Sequence, residues 1–157
     1  MRDVKFRFWD DLNNKFWYGG QEGESEENKT FQSYFKDGGL VGALVEPVSY
    51  GISQTGVDDY QEHRLIASQF TGLKDKSGKE IYEGDVVKRA DDTPFRMENG
   101  EIKFCTWLVE FKYAQWVFID TPVSPATSYP AFYSNAKYME IIGNIYENPE
   151  LLEGEHK

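Results

Sequence analysis

The sequence predicts a mainly β fold built from antiparallel strands. Apolar and polar residues alternate with period two in several short runs. Tyr, Phe and Trp make up 16% of the residues, a supply that suits a β-rich core. Clusters of Gly, Asp, Asn and Pro separate the runs, as turn chemistry requires.

Val4, Phe6 and Phe8 alternate with Lys5 and Arg7, which defines a first strand near residues 4–9. The turn-rich stretch from Asp10 to Lys15 leads to Phe16-Trp17-Tyr18, so a hairpin with a longish loop is expected. Gly19-Gly20 breaks it, and the acidic stretch from Gln21 to Lys29 reads as a solvated loop. Between Thr30 and Gln61 the pattern is weak and fixes no structure for residues 21–61. Gly38-Gly39-Leu40-Val41-Gly42-Ala43-Leu44-Val45 has the look of a phosphate-cradling loop. It lacks the Lys-Ser/Thr that such a loop needs, so a Gly-rich turn feeding a buried strand is the better reading.

From Arg64 the pattern sharpens, and a strand is expected near 64–71. Asp75-Lys76-Ser77-Gly78 has Asp first and Gly last, the order of a type I turn. Ile81 and Tyr82 anchor the next stretch, and Gly84-Asp85 punctuates it before Val86-Val87. Gly84 is assigned a backbone angle that residues with a Cβ avoid. Trp107 to Tyr113 and Gln115 to Asp120 alternate again, predicting strands near 108–113 and 115–120 joined by a tight hairpin. The Pro-rich stretch 121–130 reads as a loop, and 139–146 as a strand. Asn148-Pro149-Glu150 then starts a helix of one or two turns.

At 157 residues with one cysteine, Cys105, the chain is expected to form one domain without an intrachain disulfide. The organisation expected is an amino-terminal hairpin and variable segment over 1–61, a β core with a carboxy-terminal cap over 62–152, and a tail over 153–157. Met1 to Arg7 carries no apolar signal core, and the longest apolar run, Leu40 to Val45, is too short to span a bilayer. A cytoplasmic protein without membrane association is therefore expected. The formal net charge of −10 repels nucleic acid at long range and suits a basic partner.

Three pieces of the chain resemble the YopX proteins of bacteriophages and prophages. They are Val4-Lys5-Phe6-Arg7-Phe8-Trp9-Asp10, the run from Gln69 to Val87, and Ile142-Gly143-Asn144-Ile145-Tyr146-Glu147-Asn148-Pro149-Glu150-Leu151-Leu152. The resemblance implies a mainly β fold, with a small SH3-like barrel beginning near Gly84-Asp85-Val86-Val87. It also implies a protein encoded by a phage or an integrated prophage, and it carries over no catalytic residue and no cofactor. The matched positions read as architecture. Gly72, Gly78, Gly84 and Gly143 serve turns or close packing, Ile81, Tyr82 and Ile145 serve the core, and Asp85 and Asn148 cap backbone.

Three functional readings follow. The first is a non-catalytic accessory protein that binds a phage or host protein, with Trp17, Tyr18 or Trp116 as aromatic anchors unless they are core. The second is a nucleic-acid-binding small barrel using the basic cluster Lys74, Lys76, Lys79, Lys88 and Arg89, against which the net charge weighs. The third is a metal-assisted enzyme using Asp58, Asp59, Glu62 and His63, with Asp59 and His63 on one helix face. With His63 and His156 the only histidines, options for a nucleophile–base pair are few, and neither a metal nor a cofactor is expected.

Overall fold

The computed structural model describes residues 4–26, 29–47, 60–89, 95–96, 102–103, 106–112, 115–120 and 136–152. These residues form strands and short 3-10 turns, and no α-helix occurs among them, as the mainly β expectation requires. The Pro-rich stretch 121–130 and Cys105 lie outside them. The chain divides into two compact units, Lys5–Ser68 and Met1–Val4 with Gln69–Lys157.

The amino-terminal unit contains β1 (Phe6–Asp10), β2 (Lys15–Tyr18), β3 (Ser25–Glu26), β4 (Lys29–Lys36), β5 (Gly39–Pro47) and the first part of β6 (Tyr60–Lys74). Their order across the sheet is β2-β1-β6-β5-β4-β3. Residues 21–29 are thus not all loop, since β3 forms there and pairs with the start of β4. The β4–β5 hairpin turns on Asp37-Gly38, because Lys36 pairs with Gly39. Both turn residues have positive φ, 52° and 83°, which is the type I′ geometry favoured by the twist of two-residue hairpins. Phe8, Trp17, Phe31, Leu44 and Leu65 form the core. The Phe8 ring lies where a Cβ on Gly42 would be, so only glycine lets β5 pass beneath it.

In the carboxy-terminal unit, the end of β6 pairs with β7 (Glu80–Tyr82). The register shifts between Phe70 and Lys74, a stretch that contains Gly72 at φ 85°. A four-stranded sheet follows the order β12-β11-β8-β13, made of β8 (Asp85–Arg89), β11 (Thr106–Lys112), β12 (Gln115–Asp120) and β13 (Met139–Asn144). A two-stranded pair, β9 (Phe95–Arg96) and β10 (Ile102–Lys103), stands apart from it. Lys112 pairs with Gln115, which makes the β11–β12 connection a tight two-residue hairpin. Ile81, Val87, Trp107, Val109, Trp116, Phe118 and Met139 build this core.

The sheet does not close into a barrel. Closure requires the end strands to pair, and β12 and β13 stand at opposite ends of the path. The strand expected over 139–146 stops at Asn144, and the expected final helix is a single 3-10 turn, Pro149–Leu152.

Gly84 has φ +82°, and a Cβ there would lie 3.3 Å from Ile145 Cδ1 and Tyr146 Cε2. Its N–H donates to Val109 O at 2.8 Å and its carbonyl accepts from Ile145 N at 2.9 Å, so the turn has little room to move. Replacing Gly84 by valine is expected to lower the stability by about 1–3 kcal/mol, the cost of a strained backbone conformation. Urea denaturation followed by tryptophan fluorescence reads this, and a variant as stable as the parent would refute it.

Candidate functional site

The residues singled out around 69–89 and 139–152 meet in one frame. Asp75 is buried and its carboxylate collects four donors. Oδ1 accepts from Ser77 N at 2.8 Å, Ser77 Oγ at 2.6 Å and Lys79 N at 3.0 Å, and Oδ2 accepts from Ile141 N at 3.3 Å. The type I turn is closed by Gly78 N donating to Asp75 O at 3.0 Å, with Gly78 at φ 87°. Lys76 N then donates to Met139 O at 2.9 Å, so the turn is fastened to β13. Asp85 is buried and accepts from Tyr82 N at 2.8 Å. Ile81 and Tyr82 are both buried.

Gly143 follows a register shift in β13, and a Cβ there would lie 2.5 Å from Asn148 Oδ1. The closing turn is held by Asn144, whose Oδ1 accepts from Tyr146 N at 3.0 Å and Glu147 N at 2.9 Å. Asn148 caps the last 3-10 turn through its backbone carbonyl, which accepts from Leu151 N at 3.0 Å.

The basic cluster is partly neutralised. Lys76 Nζ lies 2.8 Å from Glu140 Oε2, and Lys88 Nζ lies 4.0 Å from the same oxygen. Lys88 and Glu140 are cross-strand partners in the β8–β13 register. Lys74 and Lys79 are exposed.

Among the described residues, one convergence of carboxylates and imidazole stands out. Asp10, Asp11 and His63 bring ligand atoms within 4.8 Å of one another. His63 comes from strand β6, not from a helix, so the expected helix face with Asp59 does not exist at His63. Asp58 and Asp59 lie outside the described residues. His63 Nε2 is 2.9 Å from Asp11 Oδ1 and 3.9 Å from Asp10 Oδ1.

Asp10 is fully buried, and its oxygens are already occupied. Oδ1 accepts from Leu12 N at 3.1 Å and Asn13 N at 3.2 Å, while Oδ2 accepts from Asn13 Nδ2 at 2.8 Å and Trp17 Nε1 at 3.3 Å. Two donors per carboxylate oxygen leave no lone pair for a cation. That leaves Asp11 and His63, fewer than the three or four ligands of a built transition-metal site. The group reads as a loop-closing carboxylate with an imidazole–carboxylate pair at its rim.

A different surface lies on the outer side of β4, β5 and β6. The register places Gln32, Tyr34, Val45, Glu62 and Arg64 on this side, opposite to the core face of Phe31, Leu44 and His63. Gln32, Tyr34, Val45 and Glu62 line a depression. Tyr34 OH donates to Glu62 Oε1, and Arg64 Nε lies 3.3 Å from the same oxygen. The Tyr34 hydrogen bond holds the Glu62 carboxyl below its usual range and pushes the Tyr34 phenol up. Strand alternation adds Ile66, which is 48% exposed. Of the expected aromatic anchors, Trp17 and Trp116 are buried core residues, and only Tyr18 is exposed.

A family model described as YopX protein matches residues 5–153. The chain belongs to the YopX family. Among solved structures, this YopX chain is similar to protein EF1440 from Enterococcus faecalis, at 21% identity and a TM-score of 0.53. The likeness covers 98% of this chain and 100% of that one and shows a shared fold. No curated protein matches the chain.

The YopX match spans both units, so the frame around Asp75 and the face around Tyr34 belong to the same family region. The sequence placed Asp75 at the start of its turn but gave no sign of its link to Ile141, nor of Asp10 and Asn144 as organising groups. Asp and Asn at turn starts were the available signal, since short polar side chains bond their own backbone two or three residues on.

Burial pushes the Asp75 carboxyl up, but the hydrogen bonds from Ser77, Lys79 and Ile141 outweigh it and hold the group below its usual range. A depressed carboxyl stabilises the fold above the unfolded value, 3.8, and loses that stabilisation as pH falls through the folded value. Stability should therefore fall steeply below about pH 4. Asp75→Asn is expected to lose about 1–3 kcal/mol at neutral pH, because an amide N–H₂ meets a donor where Oδ2 stood. Its urea midpoint should also change less steeply below pH 4 than that of the parent. An unchanged acid slope would contradict the role given to Asp75.

Proposed function

We propose that this YopX protein is a phage- or prophage-encoded accessory protein of the bacterial cytoplasm that acts by binding another protein, not by chemistry. The observation that carries the reading is the outer face of β4–β5–β6. Tyr34, Glu62, Arg64 and Ile66 there combine an aromatic, a charged pair and an exposed aliphatic around a depression. Tyr and Arg are the residue types that most often dominate binding energy at protein interfaces. Much of this face is built by β4 and β5, outside the three motifs that frame the fold.

Two further observations support the reading. Asp10 spends its carboxylate on the β1–β2 loop, which leaves the Asp10–Asp11–His63 group poorly equipped for metal or proton chemistry. Glu140 offsets Lys76 and Lys88, and the chain carries a net charge of −10, which weighs against the nucleic-acid alternative.

The test is affinity capture with tagged protein from bacterial cells carrying the phage or prophage. A partner recovered by the parent should be lost, by about thirtyfold or more in affinity, with Tyr34→Ala combined with Arg64→Ala. Circular dichroism checks that the variant keeps its fold. A salt-sensitive shift of DNA or RNA, abolished by neutralising Lys74, Lys79 and Lys88, would overturn the reading.

A further inference from the structure

Among the described residues, no strand pairs with the outer edge of β4 over Ser33 to Phe35. Phe31 turns its backbone away from β5, since its N–H donates to Glu24 O at 2.9 Å and its carbonyl accepts from Gly23 N at 2.9 Å. The same parity turns the N–H and C=O groups of Ser33 and Phe35 outward, beyond the two residue pairs that β3 makes with Lys29 and Thr30. Among the described residues these two have no backbone partner on that side. Natural sheets cover or blunt such an edge, and an uncovered one is a template for another strand. Phe35 stands on it at 80% exposure.

We propose that this edge accepts an extended segment of a basic partner protein by β-strand addition. The proposal rests on the protein-binding reading and names its mode. An antiparallel strand would make four backbone hydrogen bonds, two with Ser33 and two with Phe35. Residues directly opposite share a face, so the partner residue beside Phe35 lies against its exposed ring and the margin of Leu40, its β5 partner. The partner residue beside Ser33 lies next to Glu22, whose carboxylate accepts from Ser33 Oγ, and near exposed Glu24. Lys36 stays on the opposite face by alternation. The recognised pattern is therefore an apolar residue followed, two positions later, by Lys or Arg.

Selection of a display library of short linear peptides on the intact protein tests this. The enriched peptides should carry the apolar–any–basic pattern. N-methylation of the peptide residue facing Ser33 should weaken binding about tenfold, and Phe35→Pro, which removes the outward N–H and the ring, should weaken it about tenfold more than Phe35→Ala, which removes the ring alone. Glu22→Gln with Glu24→Gln should weaken it less and flatten its salt dependence. No enrichment, or enriched peptides indifferent to N-methylation and to Phe35→Pro, would overturn the proposal. If those peptides instead lose binding with Tyr34→Ala and Arg64→Ala, the protein-binding reading stands and the edge proposal falls. A drop in solution mass with Phe35→Pro would also overturn it, by assigning the edge to a second copy of the chain.

Discussion

The carboxy-terminal unit depends on one buried carboxylate. Asp75 ties its own turn through Ser77 and Lys79, and with its other oxygen reaches Ile141 on β13, a partner 66 residues away in sequence. The rest of that unit is arranged around this link. The backbone of Lys76 bonds Met139, β13 pairs with β8, and β8 pairs with β11. A buried charge is tolerated there because every donor it needs comes from backbone or a short hydroxyl, with little side-chain entropy to lose.

Asp10 does the same work in the amino-terminal unit. It organises a four-residue connection between Asp10 and Lys15 and orients the Trp17 indole, which stacks 5.3 Å from Phe31 in the core. In both units an aspartate that looks chemically interesting is consumed by loop geometry. Among the described residues, backbone hydrogen-bonding capacity is left at the outer edge of β4, at Ser33 and Phe35.

Much of the fold was legible because half-buried strands write period-two alternation into sequence. β1, β11 and β12 could be read within two residues. Along β11, Trp107 and Val109 are buried while Leu108 and Glu110 are half-buried; along β1, Phe8 joins the core cluster, although Arg7 and Trp9 on the other side are buried as well. Of the β4–β5 hairpin, the Gly-rich turn and the strand it feeds were legible, while β4 was not, because Phe31, Tyr34 and Phe35 do not keep period two along it. The segment after Asn148 resembles a helix start in sequence, and among the described residues it forms a 3-10 turn that packs closely on Gly143 of β13. The neighbours of His63 were not legible at all. Asp59 stands four positions before it in the chain, whereas among the described residues its carboxylate neighbours are Asp10 and Asp11, brought near by the β1–β6 pairing. Sequence distance says little about which groups a sheet places side by side.

The Asp37-Gly38 turn also acts as a parity setting for the surface beside it. A two-residue connection fixes Lys36 opposite Gly39, and every alternation along β4 is counted from that pair. Lengthening the loop by one residue would shift the count and flip each β4 side chain to the other side, sending Phe31 out of the core. Insertions in this loop would therefore be accepted only where a bulge absorbs the extra residue. The length of one tight turn thus constrains what evolution can vary on an entire strand.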